Sequence, residues 1–306
     1  MAVILITGAS GFVGRHAVTA LRGAGHEVHG LSRRPRVDEA CIWHTVDVLD
    51  GAAVSRLFER VRPSHLLHFA WETEHGRYWT APENLHWVEA TLHLVRRFYS
   101  AGGQRFVGAG TCAEYAWDEA ALGQGPVTEL GALRRPRDLY GIAKGATFDL
   151  LTAYCARLSL SFAWGRLFFP YGAPDRRPTL MPSVIRALRC GQPARCTDGR
   201  QRRDFIHVRD AGAAFAALLT SEVTGPVNIA SGAPTSIAEV VTLLGSLFGR
   251  PELIHLGALE RPRGDPDCLF ADVERLRNEV GFVPKTELRG GLQETVAWWA
   301  EQPYEE

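Results

Sequence analysis

Lysine is scarce in this sequence. The 306 residues include 34 basic side chains, but only Lys144 and Lys285 are lysines and the others are arginines. The planar guanidinium and the compact ammonium are not interchangeable where geometry matters. A lysine kept in an arginine-rich chain therefore indicates a position at which the ammonium itself is needed.

Net charge, long apolar runs and closely spaced cysteines are also missing. The 34 acidic residues balance the 34 basic ones, so charge gives no reason to expect a nucleic acid or an anionic membrane as partner. Apolar runs stay below the roughly 18 residues of a membrane span, and a strand-like run begins directly after Met1, so we expect no targeting signal. The six cysteines form no CxxC pair. We therefore expect reduced thiols, no metal site and a cytoplasmic protein.

Tyr140 and Lys144 are the first candidate site. They occur as Tyr-Gly-Ile-Ala-Lys, and side chains four residues apart share one face of a helix. An ammonium close to a phenol favours the phenolate and lowers the tyrosine pKa from its usual value of about 10, which suits a proton donor. An ordinary exposed pair of side chains would show the same spacing.

The first thirty residues predict a dinucleotide site. A strand-like run at residues 2–6 leads into the glycine-rich segment 7–14 and then into a helix-like stretch at 15–22. In that context glycines let the backbone approach a pyrophosphate, which the free N–H groups of the helix start can bind. A second strand at 27–31 follows, as the motif requires. A plain glycine-rich turn is the alternative.

The end of that second strand predicts the choice of cofactor. An NAD site usually places an acidic residue there to bind the ribose 2′-hydroxyl, whereas NADPH carries a phosphate at that position. This chain has Ser32, Arg33 and Arg34. A guanidinium binds phosphate bidentately, so we expect NADPH in preference to NADH. A solvated basic loop is the alternative interpretation.

Alternating strand and helix patterns predict an α/β fold with a doubly wound parallel sheet. The composition, 46% hydrophobic and 22% charged, is that of a globular protein. Further strands are expected at 43–46, 65–69, 105–107 and 161–168, and helices at 51–61, 83–101 and 139–158. Four prolines between 170 and 182 and a less regular pattern beyond them predict a smaller, discontinuous C-terminal lobe. The Rossmann domain would comprise 1–169 and about 204–231, and the substrate-binding lobe about 170–203 and 232–306.

Short motifs follow one another in a distinctive order along essentially the whole chain. They are TGxxGxxG at 7–14, Asp47-Val48, HFAW at 68–71, Asn84, Gly110-Thr111 with Tyr115 four residues on, YxxxK at 140–144, RDFIHV at 203–208, NIASG at 228–232 and GDP at 264–266. This order resembles the extended short-chain dehydrogenase/reductases, most closely their nucleotide-sugar epimerase, dehydratase and ketoreductase branch. The resemblance implies a Rossmann fold and an NAD(P)-dependent enzyme.

The resemblance also implies residue roles. Tyr140 would be the acid/base, Thr111 would hydrogen-bond the reacting sugar oxygen, and Lys144 would bind the nicotinamide ribose and lower the pKa of Tyr140. The cofactor would be bound by Gly8, Gly11, Phe12, Val13 and Gly14 at the pyrophosphate, by Ser32, Arg33 and Arg34 at the adenosine ribose, by Asp47 and Val48 at the adenine, and by Phe69, Ala70 and Trp71 along its bridge. The substrate would be bound by Thr111, Tyr140, Phe169, Arg203 and either Arg263 or Arg261.

Two departures from the family pattern narrow the expected reaction. The 4,6-dehydratases carry acidic residues just after the threonine, but here these positions are Cys112 and Ala113, so dehydration lacks its acid and base. Many relatives have an asparagine where this chain has Phe169, which changes the expected pose or nucleotide specificity.

Several other side chains have less definite roles. His68 and His207 are expected to be structural. Glu114 is either a third polar group of the pocket or a loop residue. The aromatic cluster expected beside the sugar is Trp71, Tyr78, Trp79 and Trp87, with Trp87 more typical of a core or interface.

These features predict an NADPH-dependent ketoreductase acting on a nucleotide-linked 4-keto-6-deoxy sugar. An NAD-dependent nucleotide-sugar 4-epimerase would use the same three catalytic residues. A cofactor-sensing protein without turnover is a further alternative, and the intact catalytic residues argue against it.

Apolar residues on the helices predicted at 83–101 and 139–158 indicate a homodimer that pairs these helices across a twofold axis. They are Leu92, Val95, Phe98, Phe148, Leu151 and Tyr154.

Overall fold

A seven-stranded parallel sheet is the centre of the protein, whose computed structural model describes residues 1–36, 38–117 and 125–303. The strands are β1 Val3–Thr7, β2 Glu27–Ser32, β3 Ile42–Thr45, β4 His65–His68, β5 Arg105–Thr111, β6 Ser161–Leu167, β7 Phe169–Tyr171, β8 Ala194–Arg195, β9 Arg202–His207, β10 Gly225–Ile229, β11 Pro234–Ser236, β12 Ile254–His255 and β13 Cys268–Leu269. The central sheet has the order β10-β6-β5-β4-β1-β2-β3. The chain winds outward from β1 to β3 and then returns to β4 on the other side of β1, as in a doubly wound fold.

Helices cover both faces of this sheet. Within the described ranges they are α1 Gly14–Gly23, α2 Gly51–Val61, α3 Glu83–Ser100, α4 Leu139–Leu158, α5 Leu180–Arg189, α6 Val208–Thr220, α7 Ile237–Leu247, α8 Glu274–Asn278 and α9 Leu288–Ala300. Helices α1 and α6 pack together on one face, and α2, α3 and α4 cover the other. Each face buries its own apolar cluster, so the sheet separates two cores.

The predicted doubly wound fold is confirmed, and the predicted strands and helices of the Rossmann domain are present with small shifts at their ends. The largest difference is β5, which continues to Thr111 instead of ending at residue 107. Gly108 and Gly110 allow this because their missing side chains make room for the Trp164 ring. A Cβ atom would lie 2.2 Å from that ring at Gly108 and 2.1 Å at Gly110. The longer strand carries Thr111 to the carboxyl end of the sheet, where the cleft lies.

A smaller lobe is built around β9. This strand pairs in parallel with β7 and β13 and antiparallel with β11. A third apolar cluster, drawn from segments 171–196, 237–244 and 292–299, forms its core. Leu269 and Leu276 pack instead with the core of the main sheet. We therefore keep the two-lobe division as a proposal, with the segment from β13 to α8 assigned to the Rossmann side.

Most of the apolar side chains predicted to form the dimer interface are buried in the core instead. Val95, Phe98, Phe148 and Leu151 lie in the core of the chain itself and are at most 8% exposed. Leu92 and Tyr154 are only partly buried against the same core. The exposed apolar side chains of α3 and α4 include Leu85, Ile142 and Leu150. Within the described residues, no helix is both long enough and apolar enough to cross a bilayer.

Candidate active site

A cleft of about 660 Å³ lies along the carboxyl ends of the central strands, where open α/β sheets bind their ligands. Arg34, Arg261 and Arg263 lie outside its lining, and Arg34 and Arg263 are exposed. The other residues expected from the sequence all line it: Gly8, Gly11, Phe12, Val13, Gly14, Ser32, Arg33, Asp47, Val48, Phe69, Ala70, Trp71, Thr111, Tyr140, Lys144, Phe169 and Arg203.

The glycine-rich loop fits the pyrophosphate of a dinucleotide. Gly8 has a φ of +67°, which glycine adopts without strain. A Cβ atom at Gly14 would lie 2.1 Å from the carbonyl oxygen of Gly8, so only glycine lets α1 begin this close to β1. Val13 at the helix start provides no side-chain cap. The N–H groups of Arg15 and His16 donate to the carbonyl oxygens of Gly11 and Val13, so the N–H groups of residues 12–14 are the ones suited to bind a phosphate.

The loop after β2 gives the cofactor side of the cleft a positive charge. Ser32 and Arg33 line the cleft. Arg36 is paired instead with Asp38 at 2.6 Å. Burial, together with the nearby charge of Arg36, lowers the pKa of Arg15. Arg33 is thus the member of the predicted arginine pair that faces the cofactor site.

Tyr140 is held in the first turn of α4. Asp138 caps this helix by accepting the N–H of Gly141 at 2.9 Å. The N–H of Tyr140 donates to the carbonyl oxygen of Trp79 at 3.0 Å, which fixes the start of the helix against the wall of the cleft. The Thr111 side chain lies close enough to the Tyr140 hydroxyl to lower its pKa. Strand β5 and helix α4 therefore bring together the two hydroxyl groups expected from the sequence.

The pKa of Tyr140 differs from the expectation. Burial raises this pKa above its usual range, and the nearby Thr111 side chain offsets the rise only in part. The predicted lowering of this pKa is not observed, because burial outweighs the effect of the Lys144 ammonium, which lies 6.0 Å from the centre of the Tyr140 ring. A buried tyrosine with a raised pKa keeps its proton, as a proton donor must.

Lys144 lies deep in the cleft with 3% of its surface exposed. Its Nζ donates to the carbonyl oxygen of Ala109 at 2.8 Å and lies 3.8 Å from the centre of the Trp71 ring. Burial lowers the pKa of Lys144 to about 7. A cation over an aromatic face is stabilised, so Trp71 supports the charged form of a lysine that burial disfavours.

Aromatic rings surround Tyr140 and form an apolar wall. The Tyr78 ring meets it edge-on with centres 4.9 Å apart, and the Trp79 ring does so at 5.9 Å. Trp117 extends the wall, with its ring centre 6.0 Å from that of Trp79. Sequence reasoning identified Tyr78 and Trp79 but missed Trp117, whose only signal is its place two residues after Tyr115. Such a wall suits the apolar face of a sugar ring.

Arg203 enters the cleft from β9. It is 6% exposed and donates to the carbonyl oxygen of Pro266 at 2.9 Å. It also forms an ion pair with Asp265, which Arg261 contacts at 3.5 Å as well. Asp265 therefore holds both arginines on this segment, and Arg203 is the one that lines the cleft with Phe169.

A third arginine of the cleft, Arg177, was not predicted. Arg177 lies with its guanidinium 4.6 Å from the centre of the Phe12 ring. Asp175, only 5% exposed, accepts a hydrogen bond from Arg177 Nε at 2.8 Å and holds it there. The charge of Arg177 also reaches Tyr78. Burial raises the pKa of Tyr78, and Arg177 offsets part of this rise. The pair lies in the proline-rich segment that was interpreted only as a domain boundary.

The two histidines expected to be structural are so. His68 bridges the hydroxyls of Thr7 and Thr91 at 2.7 and 2.9 Å, and burial lowers its pKa to about 3. His207 caps α6 by accepting the N–H of Arg209 at 3.4 Å. No group of His, Cys, Asp or Glu side chains within residues 1–36, 38–117 and 125–303 is arranged to hold a metal ion.

The glycine loop, the Thr-Tyr-Lys set and the sheet order together match one family. The profile described as "NAD dependent epimerase/dehydratase family" fits residues 4–230. The chain belongs to this family. It is therefore an NAD(P)-dependent enzyme of the extended short-chain dehydrogenase/reductase type, and its cofactor is a nicotinamide dinucleotide.

Curated relatives span two reactions. The chain is 26% identical to a UDP-glucose 4-epimerase of Corynebacterium glutamicum, over 96% of this chain and 94% of the relative. It is 27% identical to a dTDP-4-dehydro-6-deoxy-D-allose reductase of Streptomyces bikiniensis, over 97% of this chain and 95% of the relative. Identities this low leave the specific reaction open.

Solved structures confirm the fold. The structure of MoeE5 in complex with UDP-glucuronic acid and NAD is 32% identical, with a TM-score of 0.83 over 97% of this chain and 99% of that one. A UDP-glucose 4-epimerase of Thermotoga maritima has a TM-score of 0.86 at 22% identity, over 97% and 98% of the two chains.

Proposed function

We propose that this enzyme is an NADPH-dependent ketoreductase that reduces a nucleotide-linked 4-keto-6-deoxy sugar in deoxysugar biosynthesis. The observation that carries the proposal is Arg33, which lines the cofactor side of the cleft at the position where an NAD site usually has an acidic residue. A net reductase consumes a fresh reduced cofactor at each turnover, and NADPH is the usual cellular reductant. Similarity to a dTDP-4-dehydro-6-deoxy-D-allose reductase supports the same reaction class.

The proposed mechanism divides the chemistry between cofactor and protein. The glycine loop, Arg33 and Lys144 would hold NADPH, which when bound would supply a hydride for the keto carbon. Tyr140 donates its hydroxyl proton to the oxygen of the same carbon, so that C=O becomes CH–OH. Thr111 holds that oxygen by a hydrogen bond. The positive charge of Lys144 stabilises the phenolate that Tyr140 becomes.

The turn after Thr111 argues against dehydration. Loss of water from the sugar needs an acid and a base at positions 112 and 113, which carry Cys112 and Ala113 here. Both are buried, and burial raises the pKa of the Cys112 thiol to about 12. A thiol with that pKa is not a proton-transfer group at neutral pH. The pocket therefore fits a reaction that transfers hydrogen at the carbon bearing the reacting oxygen, without loss of water from the sugar.

A 4-epimerase with NAD is the second candidate, and Arg177 is the observation that favours it. Its guanidinium lies in the cleft between the glycine loop and the aromatic wall, where it could pair with a carboxylate on the sugar. MoeE5, which is 32% identical, was solved with UDP-glucuronic acid and NAD. A 4-keto-6-deoxy sugar has no carboxylate, so the two candidates predict different substrates.

The cofactor carried by the purified protein tests the proposal. An epimerase oxidises and then re-reduces the same carbon and keeps its NAD, whereas a reductase releases its oxidised nicotinamide cofactor after each turnover. We expect purified protein with little bound cofactor and a lower Kd for NADPH than for NADH. Stoichiometric NAD that survives gel filtration, together with equal affinity for the two reduced cofactors, would favour the epimerase.

A further inference from the structure

Glu114 is a buried carboxylate beside the proposed proton-transfer centre. It is 0% exposed and lies in the short 3₁₀ turn Cys112–Glu114 that follows β5. The sequence left open whether its side chain faces the pocket or the loop. In the structure it points toward β6, where no substrate reaches it.

The carboxylate of Glu114 binds both β5 and β6. Its Oε1 accepts the main-chain N–H of Thr111 at 3.0 Å and the indole N–H of Trp164 at 2.8 Å. Its Oε2 accepts the Nε–H of Arg166 at 2.8 Å. The Thr111 hydroxyl in turn accepts the N–H of Ala113 at 3.2 Å, which completes a capping box. The Thr111 oxygen is thereby oriented, and its own proton stays available for donation.

Glu114 also lies near Lys144, because the Trp164 indole that donates to Glu114 has its ring centre 5.8 Å from Lys144 Nζ. It raises the pKa of Lys144, which burial lowers, and it adds to the raised pKa of Tyr140. Arg166 on β6 pairs with Glu114 and also donates to the hydroxyl of Tyr115. Further titratable groups facing this centre are His68 on β4, Cys112 in the turn, Asp138 at the start of α4 and Tyr78 in the aromatic wall.

These neighbours do not replace Glu114. Burial keeps His68 and Cys112 neutral near pH 7, because the pKa of His68 is lowered to about 3 and that of Cys112 is raised to about 12. Burial also raises the pKa of Tyr78. Asp138 is committed to capping α4 through the N–H of Gly141.

We propose that Glu114 is a positioning residue of the reaction, which fixes Thr111 through its main chain and stabilises the ammonium form of Lys144. The inference rests on the proposed roles of Thr111, Tyr140 and Lys144. Glu114 itself touches no reacting atom, since it is fully buried behind the turn.

The two lysines of the chain make a direct test possible. Protein labelled with isotopic lysine gives two side-chain NMR signals, and Lys285→Arg assigns the one from Lys144. Glu114→Gln keeps the size of the side chain but removes its charge. We expect the titration midpoint of Lys144 to fall by about 0.5–1 pH unit in this variant, since a nearby opposite charge has been lost.

Glu129→Gln is the matched control. Glu129 is also a buried carboxylate of the same core, 7% exposed, but it accepts the N–H of Asn228 at 2.9 Å. This variant should leave the Lys144 midpoint in place. Equal midpoints in wild type, Glu114→Gln and Glu129→Gln, with the Gln variants melting at similar temperatures, would overturn the proposal.

Activity provides the second readout. In Glu114→Gln the alkaline limb of kcat/KM for NADPH-dependent reduction should move to lower pH, because Lys144 and Tyr140 both lose their protons at lower pH.

If Glu114→Gln does not fold, Glu114→Asp is the alternative variant, because it keeps the charge but is too short to reach both strands. It should keep the Lys144 midpoint and lower kcat by about tenfold through misplacement of Thr111. An Asp variant with the wild-type kcat would contradict the proposal. The NMR titration needs no sugar substrate, so it stands even if the assigned reaction is wrong.

Discussion

The cofactor half and the sugar half of the cleft are built in different ways. The cofactor half is mostly main chain, since Gly8, Gly14 and the start of α1 form a cradle that a side chain would fill. The sugar half is made of side chains from separate segments, such as Trp79, Trp117 and Arg203. A local turn therefore determines the first half, and the tertiary fold assembles the second.

This difference indicates where the reaction is decided. A main-chain cradle can bind any nicotinamide dinucleotide, so we propose that the cofactor half selects NADPH over NAD through single side chains such as Arg33. In the sugar half, Cys112 and Phe169 depart from the pattern of the family. Arg177 was not predicted from the sequence to belong to the site. Substitutions in the two halves should thus separate cofactor effects from sugar effects.

The largest expected effect is at the boundary between the halves. Tyr140→Phe keeps the ring in its aromatic surroundings but removes the proton donor, so kcat should fall by about 10²–10⁴-fold. The Kd for NADPH, measured by fluorescence titration, should change little. Wild-type turnover in this variant would remove Tyr140 from the mechanism.

Lys144→Met should damage both halves. The variant loses a buried ammonium that is proposed to bind the nicotinamide ribose and to stabilise the phenolate. We expect kcat to fall by about a hundredfold and cofactor affinity by about tenfold, as for loss of a charge-assisted hydrogen bond. Lys285→Met, at an exposed position, is the control and should be silent. Equal behaviour of the two variants would show that Lys144 has no special role.

Arg33→Asp should affect the cofactor half alone. Loss of a charge-assisted phosphate contact should weaken NADPH by about tenfold to a hundredfold, or about 1.5–3 kcal/mol, and NADH far less. Arg34→Asp adds the same charge outside the lining of the cleft and should have a smaller effect. Isothermal titration with both cofactors measures the difference. Equal losses for NADPH and NADH would refute 2′-phosphate recognition by Arg33.

Trp117→Leu should affect the sugar half alone. Removing one ring of the apolar wall should raise KM for the nucleotide sugar by about tenfold, corresponding to about 1.4 kcal/mol of lost ring packing. The Kd for NADPH should stay the same. A parallel loss of cofactor affinity would mean that the two halves are not separate.

The smallest effect on turnover is expected from the exposed face of α3 and α4. We propose that Leu85, Ile142 and Leu150 join two copies of the chain into a homodimer. Leu150→Glu should shift the protein from dimer to monomer in light scattering while kcat stays within about twofold, because the cleft lies elsewhere. A wild-type protein that is monomeric at micromolar concentration would contradict the homodimer.

The sequence predicted the cofactor half more fully than the sugar half. Strand, glycine turn and helix are contiguous in the sequence, so the local pattern around residues 7–14 is enough to predict their structure. Trp117 and Arg177 could not be found in this way, because each becomes part of the site only when the lobe and the loops fold around Tyr140. The buried position of Val95 and Phe98 was missed for a related reason, since an apolar face on a helix does not tell a core from an interface.

The reaction assay tests the central claim most directly. In the first assay, NADPH oxidation is followed with a nucleotide-linked 4-keto-6-deoxyhexose. In the second, UDP-linked 4-hydroxy sugars, including UDP-glucuronic acid, are incubated with the enzyme without added reductant. The account predicts stoichiometric NADPH consumption with the keto sugar and no interconversion of the hydroxy sugars. Interconversion of a hydroxy sugar at C4, with no net NADPH consumption on the keto sugar, would show that the enzyme is an epimerase.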